Sequence, residues 1–497
     1  MNEQNDLFLQ RLSKLTQIRE KGINPYPYRF EATHLSSGII GNFEELSASN
    51  DNVRIAGRLM SVRGHGKTSF AHLQDGAGRI QIYLRKDTLG EELFALYELL
   101  DIGDMIGVEG TVFQTRTGEI TVQTQGIEIL CKSLRPLPIE KERMEGGQKV
   151  TFDEVSDKEL RYRQRYVDLI LHPEVRQTFQ LRTKIVSAMR RFLDNRDFME
   201  VETPVLQPLY GGASARPFVT HHNALDFDLY LRISDELYLK RLIVGGFERV
   251  YEFCKDFRNE GMDRSHNPEF TLLELYQAYA DYGDMMRITE EMVSHVAQEV
   301  VGSLTVAYQG TEIDFSPPWK RVTMLEAIAE YAGIDVAGLS EDAMRKTCAG
   351  LDVEVDSRMG SGKMIDEIFK KYVEPHLIQP TFVTDYPVET APLAKRHRNN
   401  PALTERFEAF VNGCEIANAF SELNDPIDQR ERFEAQARLQ AMGDDEAQTL
   451  DEDFLRALEY GMPPTGGLGI GIDRLVMFLT NAPSIRDVLF FPQMRPE

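Results

Sequence analysis

The sequence predicts an α+β chain of more than one domain: a small all-β barrel followed by a larger domain on an antiparallel sheet flanked by helices. Three observations predict it. Five short strands, with a helical stretch between the third and the fourth, occupy residues from about 53 to 130. Two strand–turn–strand patterns with charges on one face lie at 252–276 and 406–420. A run with glycine at alternate positions, Gly467, Gly469 and Gly471, turns helical just as Asp473 and Arg474 arrive. A chain of 497 residues is too long for one core and fits two or three domains.

Composition narrows the class. With 42% hydrophobic and 27% charged residues the chain reads as an ordinary soluble protein. It has no apolar run of transmembrane length, and its first twenty residues are polar, with the helical spacing Leu7, Phe8, Leu12, Leu15, Ile18 rather than a signal peptide. Cys131, Cys254, Cys348 and Cys414 share no metal or disulfide spacing, and His221-His222 has no second ligand at zinc distance. A cytoplasmic protein with reduced thiols and no membrane partner is expected. The net charge of −23 argues against non-specific binding to nucleic acid, yet it allows a basic surface confined to one groove.

In chain order, Val53–Arg63, Lys67–Leu73 and Arg79–Leu84 read as strands, Gly90–Leu100 as a helix, and 104–113 and 120–130 as two more strands. That order is the OB barrel, which commonly stacks single-stranded bases on aromatic rings. Phe70 and Gln81 lie on its second and third strands and Glu128 near the end of the fifth; taken alone, each reads as an ordinary strand residue rather than a binding one. The expected domains are 1–133, a linker over 134–175 and a larger domain over 176–497. In the linker, Arg161-Tyr-Arg-Gln-Arg-Tyr166 reads as a solvated helix face, with a nucleic-acid contact as the alternative.

A helix follows Arg176 (Phe179, Leu181, Ile185, Met189, Phe192), and 198–206 reads as an edge strand carrying Pro204. Together these could form a dimer seam or simply pack a core. Helical patterns interrupt the strands over about 284–385, which reads as an insertion. Within it Met359-Gly-Ser-Gly-Lys363 mimics a phosphate loop, but Ser357 replaces the first glycine and Met364 the magnesium-binding hydroxyl, so it is dismissed.

The first hairpin pairs Glu252–Glu260 with Glu269–Tyr276 around a loop. By parity Asp256, Arg258 and Glu260 share one face, as do Phe270, Leu272, Glu274 and Tyr276, bringing a cation, carboxylates and a ring together. In the second, Asn412-Gly413 is the preferred type I′ turn. It pairs Phe410 with Glu415 and makes Glu408 and Glu415 diagonal neighbours, within reach of a shared hard cation. Asn418, Phe420 and Glu422 have the opposite parity, so a shared pocket requires a bulge between Glu415 and Asn418. The alternating glycines would leave a bare floor for a flat ligand, with Arg474 at a helix start suited to polyphosphate.

Pro204 in its strand, Phe257-Arg-Asn-Glu260 with its loop, and Gly469-Ile-Gly-Ile-Asp-Arg474 resemble the three signatures of class II aminoacyl-tRNA synthetases. The OB domain narrows the resemblance to the aspartate, asparagine and lysine subgroup. Gly211–Phe218, Tyr230–Lys240, His266–Thr271 and Asn418–Asp425 are similar to the lysyl-tRNA synthetase family, over nearly the whole chain including His376–Phe382 in the insertion. The resemblance implies ATP-dependent activation of L-lysine and its transfer to tRNA(Lys), by a homodimer using Mg²⁺.

Position by position, it implies that Arg258 holds the substrate carboxylate and the α-phosphate, and Arg474 the γ-phosphate. Phe270 stacks on adenine, Glu260 and His266 hold the nucleotide from the loop, and Gly469 and Gly471 lie beneath it. Glu408 and Glu415 bind Mg²⁺. Gly212 and Glu236 take the lysine α-amino group, with Glu274, Tyr276, Asn418, Phe420 and Glu422 around the side chain. Phe70, Gln81 and Glu128 read a uridine-centred anticodon. The physics agrees with lysine: an ammonium needs a carboxylate in an apolar-walled pocket, whereas an aspartate substrate would want a cation.

Cys414 and Ala419 depart from the family pattern in the second hairpin, which puts its local backbone in question, and no lysine-rich N-terminal extension precedes the barrel. Two other readings stay open at this point. One is a paralogue that activates an amino acid for a non-tRNA acceptor; the other is a non-catalytic RNA-binding relative.

Overall fold

The computed structural model describes residues 2–138, 141–145, 148–152, 157–356, 359–441 and 448–496. It divides into two compact units, Met1–Asp157 and Lys158–Glu497. The division falls inside the expected linker, whose Gly146 and Gly147 lie outside the described residues.

The first unit opens with helix α1 (Asn2–Glu20) and contains a closed barrel of β1 (Val53–His65), β2 (Thr68–Gln74), β3 (Arg79–Arg85), β4 (Met105–Gln114) and β5 (Ile120–Cys131). The order around the barrel is β1-β2-β3-β5-β4, the OB topology expected from the strand pattern. Alternation drives it: Ile80, Ile82 and Leu84 of β3 point inward and join Ile55, Leu59, Leu73, Val108 and Val122 in one core. Helix α2 runs over Lys86–Tyr97, four residues earlier than the sequence suggests, because a short helical piece precedes Gly90, where the backbone leaves the helix (φ 77°, ψ 168°) before resuming it.

The second unit is built on an eight-stranded sheet. Its strands are β6 (Met199–Glu200), β7 (Arg249–Phe257), β8 (Glu269–Ala278), β9 (Lys320–Thr323), β10 (Thr381–Thr384), β11 (Arg406–Val411), β12 (Cys414–Ser421) and β13 (Thr465–Gly471). Their order is β9-β10-β11-β12-β13-β8-β7-β6, antiparallel except for the two outermost pairs. Helices α3 (Pro173–Asp194), α5 (Tyr282–Val296) and α9 (Ile472–Thr480) pack on it through Ile185, Met189, Phe192, Met285, Val293, Leu475 and Phe478. Between α3 and α5 lies α4 (Glu236–Val244), which carries pocket residues.

Three expectations need correction. The strand through 198–206 stops at Glu200; Pro204 has no N–H to give a ladder, and Thr203 instead donates its N–H and hydroxyl to Glu252 Oε2 (3.0 and 2.7 Å). The arginine-rich helix is no solvated face. Arg165 is 2% exposed, pairs with Asp168 (2.6 Å), and donates to the carbonyls of Arg486 and Phe490. The stretch 284–385 is only in part an insertion. Helix α5 belongs to the main core, and β9 and β10 extend the main sheet. What is inserted has its own core, from α6 (Met324–Ala332), α7 (Glu341–Gly350) and α8 (Ser361–Tyr372), with Met344, Cys348, Met364 and Phe369 inside. At the start of α8 the Gly362 N–H donates to Glu389 (2.7 Å), a site taken by the chain's own carboxylate, while Ser357 lies outside the described residues.

Candidate active site

Register assembles the site. One row of directly opposed residues crosses five strands: Glu408, Asn418, Gly469, Glu274 and Glu252. The next row holds Arg406, Phe420, Gly467 and Tyr276. Opposed residues share a face, so the two hairpins and the glycine strand present one continuous surface. The required bulge is present. Ala409 pairs with Ala417 but Phe410 with Glu415, leaving Ile416 as the extra residue between them. Asn412 and Gly413 make the turn with φ of 49° and 70°. Cys414 and Ala419 sit in ordinary ladder positions opposite Val411 and Phe407.

The glycines differ in their reasons. A Cβ on Gly469 or Gly471 would meet nothing nearer than 3.8 Å, so these two leave an open floor. A Cβ on Gly467 would lie 2.0 Å from Glu422 Oε1 and 2.5 Å from the Tyr276 ring. Gly467→Ala is therefore expected to displace Glu422 and the Tyr276 ring from the floor of this surface.

At one end of this surface Arg258 follows β7, anchored by its N–H to Pro268 O (2.8 Å), with its guanidinium 5.0 Å over the Phe270 ring. Its Nε has no hydrogen-bond partner among the described residues. The loop residues Glu260, Gly261, Met262, Asp263 and His266 line a cavity of about 270 Å³. Burial alone would raise the Asp263 carboxyl, but bonds from the Ser265 N–H and from His266 outweigh it and hold it at about 2. Arg474, in the first turn of α9, donates to Glu415 O (2.6 Å) and faces His266 Nε2 (3.2 Å). Since arginine is only a donor, His266 Nε2 accepts and Nδ1–H points to Asp263 Oδ2 (2.8 Å). Asp473 supports this corner by accepting from the Thr271 N–H (2.7 Å) and pairing with Arg182 (2.6 Å).

Glu408 accepts from Tyr386 OH (2.9 Å) and pairs with Arg406. Burial, with Glu415 adding repulsion, pushes its carboxyl up to about 7. Arg406 also donates to Asn418 Oδ1 (3.2 Å) and lies 5.7 Å from the Phe420 ring centroid.

At the other end is a buried acidic pocket. Glu274 accepts from Ser234 Oγ and Tyr276 OH (both 3.0 Å), and burial raises its carboxyl to about 8. Glu422, 1% exposed, is likewise raised by burial to about 8, and Glu236 is raised too. Gly212, at φ +87°, lies against them, since a Cβ there would meet Ser234 Oγ at 2.9 Å and Glu236 Cβ at 3.2 Å. Between Glu236 and Glu422 stands Lys240, which pairs with both.

Glu274, Tyr276, Glu408, Asn418, Phe420, Gly467 and Gly469 thus lie in register on one sheet face, with Glu236 and Arg474 on helices and Gly212, Glu260 and His266 in loops. Sequence reasoning missed Lys240, Ser234, Arg406 and Tyr386. Lys240 follows Glu236 by four positions in a helix, a spacing that puts the two side chains together.

On the barrel, Phe70 is exposed and stacks on Tyr83 (centroids 4.6 Å). Gln81 donates to Glu119 (2.7 Å), Thr121 Oγ1 donates to Gln81 (2.8 Å), and His72 Nε2 contacts Glu119 (2.8 Å). Glu128 does not join them. Gln81 pairs with Thr121, which leaves Glu128 about 20 Å farther along β5, opposite Gly107. The carboxylate of this face is Glu119, in the turn before β5, where strand parity gives no guidance.

Residues 157–495 match the family model described as tRNA synthetases class II (D, K and N), and residues 53–130 that of the OB-fold nucleic acid binding domain. The lysine–tRNA ligase of Carboxydothermus hydrogenoformans is 59% identical over 495 residues, covering 99% of each chain. That of Moorella thermoacetica is 58% identical over 499 residues, covering 100% of this chain and 99% of that protein. The lysine–tRNA ligase of Christiangramia forsetii is 58% identical over 494 residues, 98% of this chain and 86% of that one.

Proposed function

The chain belongs to the class II tRNA synthetases of the D, K and N group, and we infer that it is a lysine–tRNA ligase. L-Lysine reacts with ATP to give lysyl-adenylate and pyrophosphate, and the lysyl group then passes to the 3′ end of tRNA(Lys). The observation that carries the choice of lysine is Glu422, a buried carboxylate beside Tyr276 and Phe420 above the glycine floor. Charging of a mixed tRNA pool should incorporate lysine alone; incorporation of aspartate or asparagine instead would refute it.

In the reading proposed here, no protein nucleophile is needed. The lysine carboxylate attacks the α-phosphorus, the bond to the β-phosphate breaks, and pyrophosphate leaves. Arg258 holds the carboxylate and the α-phosphate in line, while Arg474 and His266 take the terminal phosphate. Phe270 stacks on adenine over Gly469 and Gly471, with Glu260 at the loop. Glu408 and Glu415 fit a hard cation, because burial and then the charge of Glu415 raise Glu408, and such an ion offsets both. Bound there, Mg²⁺ neutralises phosphate charge. Gly212 and Glu236 receive the α-ammonium, and Glu274, Tyr276, Asn418, Phe420 and Glu422 surround the side chain.

Phe70, Gln81 and Glu119 supply the anticodon-reading face, replacing Glu128 in that role. Base stacking on Phe70 is worth about 1–3 kcal/mol, so Phe70→Ala should raise the KM for tRNA roughly tenfold or more while leaving pyrophosphate exchange unchanged. No helix of the described residues is long and apolar enough to cross a membrane. A homodimer in the cytoplasm is the assembly proposed, on the exposed apolar residues Met199, Val205, Leu206 and Leu209 beside the sheet edge at β6. Sedimentation at micromolar concentration should give twice the chain mass, and a monomer would contradict it.

The raised carboxylates set a pH dependence. Below about 8, Glu274 and Glu422 hold protons that the substrate ammonium must displace. Lysine stays charged through this range, so its affinity should rise as pH increases toward about 8. For the free protein the sign is opposite. Folded values above the unfolded ones give stability that is present at low pH and lost as pH rises through about 8. The lysine-induced increase in Tm should therefore grow with pH; a flat profile would contradict the assignment.

A further inference from the structure

A cation of the chain's own stands in the pocket proposed for the substrate's ammonium groups. Lys240 of α4 is fully buried, and its ammonium bridges Glu236, one helical turn earlier, and Glu422 Oε2, just past β12. It lies 6.0 Å from the Tyr276 ring centroid. Neither Glu422 oxygen has a hydrogen-bond partner among the described residues: Oε2 has its ion pair with Lys240, and Oε1 sits directly over Gly467, where a Cβ would be 2.0 Å away. One oxygen of this carboxylate thus meets an internal ammonium while the other is left for a ligand.

The neighbouring charges are committed elsewhere. Arg406 pairs with Glu408, which offsets it, and donates to Asn418, although its charge also reaches Glu236. Arg232 serves Glu252 (2.7 Å) and Asp256 (3.4 Å). Asp235 is buried beside Glu274; burial first, and then the charge of Glu274, push its carboxyl well up, which disfavours its ionised form. The pocket is left with Glu236, Glu274 and Glu422 against Lys240. Once lysine has displaced the protons that Glu274 and Glu422 hold below about 8, three negative charges less one positive leave two, against the two ammonium groups that lysine brings while its carboxylate goes to Arg258.

We propose that Lys240 is a specificity-determining residue: it offsets one of the three pocket carboxylates, so that the site matches a substrate with two ammonium groups. This rests on the lysine reading above. Without Lys240 the pocket has one negative charge too many for lysine, and without Glu422 it has one too few. Removing both restores the balance.

The test measures lysine and ATP KM in pyrophosphate exchange for wild type, Lys240→Met, Glu422→Gln and the double variant. Each single substitution should raise the lysine KM, by about tenfold for Lys240→Met and more for Glu422→Gln, with ATP little changed. The double variant should use lysine better than Glu422→Gln alone, a reversal of sign that a purely structural lysine does not produce. Losses that multiply, or a double variant worse than Glu422→Gln, would overturn the proposal while leaving the activity intact. If Lys240→Met does not fold, as judged by Tm, Lys240→Gln carries the same comparison. Absence of lysine exchange in the wild type would overturn the activity reading and this proposal with it.

Discussion

Arg258→Gln is expected to lower lysine-dependent pyrophosphate exchange about a thousandfold, mainly in kcat, because it removes donors aimed at charge that develops in the transition state. The geometry supports a large effect. The guanidinium carbon lies 5.0 Å over the Phe270 ring centroid, its backbone is pinned to Pro268, and its Nε has no partner among the described residues. A donor held there without a ligand is already oriented, so little is lost to ordering when the substrate carboxylate and α-phosphate arrive. Arg258→Lys keeps the charge but not the planar fork, and should recover only a small part of the rate. A change confined to the ATP KM, with kcat preserved, would remove Arg258 from the reacting centre.

Glu422→Gln is expected to raise the lysine KM about a hundredfold and leave the ATP KM within about twofold, since a charged partner in a buried site is worth about 2–5 kcal/mol. Glutamine keeps the shape over Gly467 but offers no charge to an ammonium and leaves Lys240 only Glu236. The pH profile gives an independent check. Burial holds Glu422 at about 8 in the free site, so the variant should lose part of the rise in lysine affinity as pH approaches that value. Equal weakening of lysine and ATP would mean that Glu422 supports the sheet rather than the substrate.

Local patterns made much of this site legible. Asn412-Gly413 set the register of the second hairpin, and the clash of parity between Glu415 and Asn418 required the bulge that Ile416 supplies. Five strands with a helical stretch between the third and the fourth were enough to place the barrel. What stayed hidden depends on tertiary contact. Arg165 looked like a solvated charge because only the fold supplies the carbonyls of Arg486 and Phe490. Glu119 lies in a turn, so its approach to Gln81 follows from barrel closure and not from any strand pattern. The helical run at 282–296 resembled an insertion, yet its methionines lie in the main core, which periodicity alone cannot distinguish.

The central claim is that this site activates lysine with ATP. The measurement that tests it most directly is Mg²⁺-dependent ATP–pyrophosphate exchange with each of the twenty amino acids, without tRNA. The account predicts exchange with lysine and with no other amino acid at comparable concentration. Exchange with aspartate or asparagine, or none with any, would contradict it.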